Sequence, residues 1–172
     1  MKHPLHPDAM LGDFAAVTPA LLHAYGVRAL LCDIDNTLVP YEEAEPTDAV
    51  RRWLAALADA GICIGFVSNN DPARVNRFNQ SLQLFAYAKA GKPSTRAVRA
   101  FLAQSGMAPQ QTALLGDQLF TDVLCARCSG LVSFLVPPIR DKKTLFFRTK
   151  RLLEKPFLAS FRKKQKKARR CV

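Results

Sequence analysis

The sequence has no apolar run longer than a β-strand, although 49% of its 172 residues are hydrophobic. A membrane-spanning helix needs about 20 consecutive apolar residues, so no such span is predicted. The first residues, Met1-Lys2-His3-Pro4, are not followed by the long apolar segment of a secretory signal. These absences predict a soluble, cytoplasmic protein.

The sequence also lacks a cysteine or histidine pattern that could bind zinc. Among five cysteines there is one Cys-x-x-Cys pair, Cys125 and Cys128, and no second pair completes a tetrahedral site. The three histidines are scattered along the first 23 residues. We therefore assign the thiols to packing in a reducing compartment and give the histidines no catalytic role.

Acidic residues are scarce at the C-terminal end of the chain. Residues 140–172 contain 14 of the 25 lysines and arginines but two of the 14 acidic residues, which gives this segment a net charge of +12. Residues 1–139 carry a net charge of −1. A basic block of this kind is typical of a partner-binding arm. We predict a folded core with an N-terminal helix over 1–139 and a basic extension over 140–172.

Five short apolar runs alternate with helical patterns along the core. Near-continuous apolarity is typical of strands buried on both faces of a parallel sheet. The predicted strands span 27–34, 62–67, 84–88, 112–116 and 131–136. Caps and apolar residues at a spacing of three to four predict helices over 8–25, 47–60, 72–80, 94–104 and 119–128. Strand–helix alternation predicts an α/β fold, a three-layer α/β/α sandwich around a Rossmann-type, five-stranded parallel sheet.

Polar side chains follow four of the predicted strands. The residues at these four strand ends are Asp33 and Asp35, Ser68 and Asn69, Lys92, and Asp117. In open parallel sheets, ligands bind at the carboxyl ends of the strands. The sequence therefore predicts that these side chains share one site.

This combination of residues suits phosphate chemistry. A carboxylate can attack phosphorus and form an acyl phosphate, which divides a slow hydrolysis into two faster steps. Mg²⁺ held by hard oxygen ligands cancels the repulsion between the two anions. A lysine and a hydroxyl can bind the phosphoryl oxygens, and a second carboxylate can protonate the leaving oxygen and then activate water. The pattern predicts a magnesium-dependent phosphatase with Asp33 as its nucleophile.

The same residues form four motifs, which are Asp33-Ile-Asp35-Asn-Thr37, Val67-Ser68-Asn69-Asn70, Lys92-Pro93, and Gly116-Asp117-Gln-Leu-Phe-Thr-Asp122. These motifs resemble those of haloacid dehalogenase (HAD) superfamily phosphatases. With Arg74-Val75 they are more closely similar to the YqeG-like family of subclass IIIA, and also to fungal phosphatidylglycerophosphate phosphatases.

The resemblance implies a catalytic role for each of the two carboxylates of the first motif. Asp33 would be the nucleophile, and Asp35 would be the general acid and base. Mg²⁺ would be held by Asp33, by the backbone carbonyl of Asp35 and by Asp117. Asp122 would not bind the metal itself but would orient Lys92 or a metal-bound water.

The resemblance also implies that Ser68, Asn69 and Lys92 bind the phosphoryl oxygens. One alternative remains open at the third strand, because Lys89 lies close to the same strand end. Lys92 matches the motif because Pro93 follows it, and Lys89 is the reserve candidate.

The sequence leaves no room for a cap domain, which this superfamily inserts after the first or the third strand. Only residues 39–46 separate the first motif from the next helix, and Lys92 leads directly into the following one. An open site suits a bulky or anchored substrate. We predict hydrolysis of phosphatidylglycerophosphate to phosphatidylglycerol, with the basic extension holding the enzyme on the anionic inner face of the membrane.

Two other functions remain open. The enzyme could act on a soluble phosphorylated metabolite, with an oligomer closing the site. Alternatively, the chain could be a binding protein whose basic extension docks on ribosomal RNA, since the same charge binds phosphate backbones.

Overall fold

A six-stranded parallel sheet forms the centre of the computed structural model, which describes residues 4–140. The strands are β1 (Ala9–Met10), β2 (Ala29–Cys32), β3 (Cys63–Val67), β4 (Phe85–Tyr87), β5 (Thr112–Gly116) and β6 (Val132–Leu135). Their order is β1-β6-β5-β2-β3-β4, and every adjacent pair is parallel. The chain order therefore reverses at β2, and in such sheets ligands bind beyond the strand ends at this reversal.

Helices cover both faces of the sheet and complete the predicted three-layer sandwich. The α-helices are α1 (Pro19–Ala24), α2 (Asp48–Asp59), α3 (Pro72–Asn79), α4 (Arg96–Ser105) and α5 (Leu124–Cys128). A π-helical turn over Leu119–Val123 leads directly into α5, and 3-10 turns span Phe14–Ala16 and Pro109–Gln111.

Alternate residues of each strand enter one of two cores. Leu30 and Cys32 of β2 pack with buried side chains of α1, α2 and α3 on one face. Ala29 and Leu31 pack with α4 and α5 on the other. This alternation follows from the period of two of a β-strand, and it explains why β2 is apolar without interruption.

Short polar side chains fix where α2 and α3 begin. The Thr47 hydroxyl accepts the N–H of Val50 at 3.3 Å, and the Asp71 carboxylate accepts the N–H of Arg74 at 3.0 Å. Pro72 occupies the first position of α3, where its missing N–H costs nothing. Both helices agree with the prediction to within a residue. The predicted start of α4 shifts by about a residue: α4 begins at Arg96 after Thr95, which makes no side-chain cap, and the Ser94 hydroxyl accepts the N–H of Arg96 at 3.4 Å.

The predicted helix over 8–25 is wrong in its first half. Residues Ala9–Met10 pair instead with β6, and α1 begins only at Pro19, where Thr18 caps the N–H of Leu21. The guanidinium of Arg127 holds this segment by donating to the carbonyl of His6 and pairing with Asp8. The sheet therefore has six strands rather than five.

The structure contains no inserted cap between residues 4 and 140. The segments after β2 and after β4 run directly to α2 and α4, as predicted. Within this part of the chain, no helix combines the length and apolar character needed to cross a bilayer. The predicted basic extension lies outside the described residues, apart from Arg140.

Candidate active site

The loop that follows β2 holds the first predicted carboxylate in a fixed position. The N–H of Asp33 donates to the carbonyl of Leu115 at 2.8 Å, which extends the sheet by one residue. The Thr37 hydroxyl donates to Asp33 Oδ2 at 3.0 Å. Asn36 turns the loop with a φ of 65°, a conformation that asparagine tolerates better than most residues. The carboxylate of Asp33 therefore lies buried at the carboxyl end of the central strand.

Lys92 lies between two buried carboxylates. Its Nζ is 2.6 Å from Asp33 Oδ1 and 2.6 Å from Asp122 Oδ1, and its side chain is 2% exposed. Burial opposes the charged form, but the attraction of Asp122 and Asp33 outweighs it, so the pKa of Lys92 is raised above its usual value. Lys92 therefore stays protonated beside Asp33. The reserve candidate Lys89 is exposed instead.

Three carboxylates at this end of the sheet form a cluster that fits a divalent cation. One oxygen from each of Asp33, Asp117 and Asp122 lies within 4.8 Å of the other two, and all three residues are buried. One ammonium group does not balance three carboxylates, so negative charge remains in excess. Buried carboxylate oxygens are the hard ligands that Mg²⁺ prefers.

The protonation of Asp33 depends on this same cluster. Burial raises its pKa to about 6, because Lys92 offsets only part of the desolvation and Asp122 adds repulsion. A cation beside the carboxylates would favour the ionised form. The three carboxylates therefore suit a metal ion both by their negative charge and by the type of ligand atom they offer.

Gly116 allows Asp122 to reach the cluster. A Cβ atom on Gly116 would lie 2.3 Å from Cγ of Asp122, so a side chain here would displace that carboxylate. The N–H of Gln118 donates to Asp122 Oδ2 at 3.1 Å and fixes the second oxygen. The glycine that precedes Asp117 in the sequence is thus required by a close approach at the end of β5.

Asn69 contacts the main chain of Lys92. Its Oδ1 accepts the N–H of Lys92 at 2.7 Å, and its Nδ2 donates to the carbonyl of Lys92 at 3.3 Å. The sequence predicted that Asn69 binds phosphate, whereas the observed contacts fix the backbone that carries the lysine.

Asp35 faces a group of donors on the neighbouring strand end and helix. Its Oδ1 accepts from Arg74 Nε at 3.2 Å and forms an ion pair with Arg74 Nη2, which lies 3.0 Å away. Its Oδ2 accepts from the Ser68 hydroxyl at 3.4 Å and from Asn70 Nδ2 at 3.3 Å. Ser68 is thus brought to the site as predicted, and it contacts the carboxylate of Asp35.

Sequence reasoning missed the contacts of Arg74, Asn70 and Tyr41. Asn70 Nδ2 also donates to the Tyr41 hydroxyl at 3.1 Å, which links the loop after β2 to the loop after β3. Arg74 occupies the first turn of α3, three residues after the cap Asp71. That position was the available signal, because the first turn of a helix that follows a strand end lies near the site.

A doubly wound parallel sheet whose central strand ends in a buried carboxylate beside a lysine is the arrangement that the resemblance to haloacid dehalogenase-like hydrolases implies. The chain is similar to this superfamily and is a phosphatase.

Comparisons with known proteins agree with this class. The HAD-hydrolase-like family model matches residues 89–138. Probable phosphatase YqeG of Bacillus subtilis (strain 168) is 29% identical over 158 residues, which are 92% of this chain and 92% of that protein. The chain is therefore similar to YqeG over nearly its whole length.

Two solved structures share the fold. The cobalt-bound deoxy-D-mannose-octulosonate 8-phosphate phosphatase of Haemophilus influenzae superposes with a TM-score of 0.53 and 18% identity, over 73% of this chain and 75% of that one. A hypothetical protein of Xanthomonas campestris gives a TM-score of 0.54 and 20% identity, over 74% and 73%.

Proposed function

We propose that the chain hydrolyses phosphomonoesters through a phosphorylated Asp33, with Mg²⁺ as cofactor. The observation that carries this proposal is the position of the Asp33 carboxylate. It lies 2.6 Å from a buried lysine and within a cluster of three carboxylates, at the carboxyl end of β2. A nucleophile and a charge-balancing cation are thus already next to each other before substrate binds.

Hydrolysis then proceeds in two steps. A carboxylate oxygen of Asp33 attacks phosphorus while the bond to the leaving oxygen breaks, and Asp35 gives that oxygen its proton. Water next attacks the phosphorus of the acyl phosphate and gives a proton to Asp35, which releases phosphate and restores Asp33. Lys92 stays charged throughout and balances negative charge on the phosphoryl oxygens, and Ser68 donates to them.

The residues that would hold Mg²⁺ are Asp33, Asp117 and the backbone carbonyl of Asp35. When bound there, the ion would neutralise charge on the phosphoryl group and so let the anionic carboxylate of Asp33 approach it. We assign Asp122 to orienting Lys92, because its Oδ1 is 2.6 Å from the ammonium nitrogen. Asn69 fixes the backbone of the same lysine.

Removing the metal should abolish activity. We expect hydrolysis of a generic phosphomonoester such as p-nitrophenyl phosphate to disappear in excess chelator and to return when Mg²⁺ is added. Ca²⁺ should restore little, because its larger and looser coordination misplaces the phosphoryl group. Steady-state rates across a titration of each ion measure this. Undiminished rates in chelator would remove the metal from the mechanism.

For the substrate we propose phosphatidylglycerophosphate, with residues 1–139 as the catalytic core and 140–172 as a membrane-binding extension. The absence of a cap between residues 4 and 140 supports a substrate anchored outside the protein. The chain also leaves the core beside the site, since the N–H of Ile139 donates to the carbonyl of Asn36 at 3.0 Å. The extension therefore begins at the loop that carries Asp33. We propose on this basis that the enzyme is cytoplasmic and peripheral on the inner face of the membrane.

Deleting residues 156–172 should separate membrane binding from chemistry. The deletion removes seven lysines and arginines and none of the proposed site residues. We expect an unchanged rate on a small soluble phosphate ester and a loss of activity on phosphatidylglycerophosphate in anionic vesicles. The difference should shrink as salt rises, because ions screen the attraction.

Equal activity of both forms on vesicles at low salt would contradict the membrane role. A preference for soluble esters by both forms would favour a phosphorylated metabolite as substrate. Binding to structured RNA that is lost with the deletion, with no binding to vesicles, would favour an RNA partner.

A further inference from the structure

The carboxylate of Asp35, the proposed acid, lies next to the guanidinium of Arg74, which has no role in the proposed reaction. We propose that Arg74, with Asn70 and Tyr41, forms a subsite for a second anionic group carried by the leaving group of the substrate. This inference rests on the proposed function, because it takes Asp35 as the group that protonates the leaving oxygen. It adds a substrate class: phosphomonoesters that carry a further phosphodiester or carboxylate a few bonds from the scissile bond.

The position of the subsite follows from the position of Asp35. For proton transfer, the leaving oxygen must come within about 3 Å of the Asp35 carboxylate. Arg74 Nη2 lies 3.0 Å from the same carboxylate, and Asn70 Nδ2 lies 3.3 Å from its other oxygen. Groups a few bonds beyond the leaving oxygen therefore reach Arg74 and Asn70 first.

Arg74 is held in place for recognition. Its Nη1 donates to the carbonyl of Ala44 at 2.8 Å, and its guanidinium carbon lies 6.0 Å from the centre of the Phe78 ring. The side chain is 12% exposed and its Nη2 is buried, so the guanidinium is restrained on several sides and keeps a donor without a hydrogen-bond partner among the described residues. A guanidinium is always charged, and its planar fork matches the oxygens of a phosphodiester or a carboxylate.

The neighbouring groups extend this donor surface toward solvent. Tyr41 is 45% exposed, and its hydroxyl is held by Asn70 Nδ2 at 3.1 Å. A guanidinium, an amide and a phenol thus line the side of the site where the leaving group emerges. Such donors favour a leaving group rich in acceptor oxygens over an apolar one.

A matched pair of soluble esters tests the subsite. Both are phosphomonoesters of 1,3-propanediol; the second hydroxyl carries a methyl phosphodiester in one and a methyl ether in the other. With Mg²⁺ and the full-length chain, we expect kcat/KM to be about tenfold or more higher for the phosphodiester, as a charge-assisted contact implies. Arg74→Gln should bring this ratio close to one, whatever its effect on the absolute rates.

Arg77→Gln is the matched control, because Arg77 lies on the same helix and pairs with the exposed Glu45 rather than Asp35. This variant should keep the wild-type ratio. Arg74→Lys retains the charge without the fork, and we expect it to keep part of the preference. It also serves as the test variant if Arg74→Gln does not fold, as judged by circular dichroism.

Equal hydrolysis of the two esters by the wild-type chain would overturn the subsite while leaving the proposed function intact. The same holds for an undiminished preference in Arg74→Gln, or in Arg74→Lys if the first variant does not fold, which would assign the preference to other positive charge such as the basic extension. Hydrolysis of neither ester at any Mg²⁺ concentration would instead overturn the proposed function.

Discussion

Asp33→Asn is expected to lower kcat on any phosphomonoester by on the order of 10⁴-fold or more, because an amide oxygen cannot form the acyl phosphate. Asparagine keeps the shape of the side chain; its carbonyl oxygen can accept from Lys92, and its amide N–H can donate to the Thr37 hydroxyl. The variant should therefore remain folded, with a far-ultraviolet circular dichroism spectrum like that of the wild type. Rates with p-nitrophenyl phosphate and saturating Mg²⁺ measure the loss.

Asp59→Asn is a suitable control, because Asp59 is exposed at the end of α2, which leads into the start of β3 and not into the carboxyl end of a strand. It should retain the wild-type rate. If Asp33→Asn turned over substrate at a rate near that of the wild type, a covalent route through this residue would be wrong.

Lys92→Gln should impair both catalysis and stability. Without the ammonium, Asp33 and Asp122 face each other in a buried site with no cation between them. Removing one partner of a buried ion pair costs about 3 kcal/mol or more, and we expect the free energy of unfolding to fall by that amount. The loss of a charge that stabilises the transferring phosphoryl group should lower kcat by roughly 10²-fold or more. Urea denaturation and initial rates measure the two effects.

Lys89→Gln is the matched control for this experiment. Lys89 is the nearest lysine along the chain, but it is exposed, so its replacement should change stability by less than about 0.5 kcal/mol and leave the rate unchanged. The opposite result, a large loss from Lys89→Gln and little from Lys92→Gln, would assign phosphate binding to the reserve candidate.

Three of the strands that carry the site, β2, β3 and β5, could be predicted because they are buried on both faces. Leu30 and Leu31 are both fully buried, one in each core, so β2 is apolar at every position and visible in the sequence. β1 could not be predicted in this way. It has two residues, and its extended conformation depends on the open edge of β6 and on Arg127, which is far away in the chain.

The site also contains residues that the sequence could predict and contacts that it could not. Asp33 and Asp117 were predicted to share a site because each directly follows a parallel strand and so lies at its carboxyl edge, and Lys92 because only a short loop separates it from β4. The contacts of Asn69 and Arg74 were not predicted, because they depend on how the loops after β3 and β4 fold back. Asn69 could have pointed toward substrate from the same position, and only the course of the loop before Lys92 brings the main chain against its amide.

The covalent intermediate can be tested most directly by trapping it. Borohydride reduces an aspartyl phosphate to homoserine, which mass spectrometry of peptides can locate in the chain. After brief mixing with substrate and Mg²⁺ and immediate reduction, the proposed mechanism predicts homoserine at position 33, and none when either substrate or Mg²⁺ is omitted. Homoserine at another aspartate, or none at position 33 under conditions of full turnover, would contradict the assignment of Asp33 as the nucleophile.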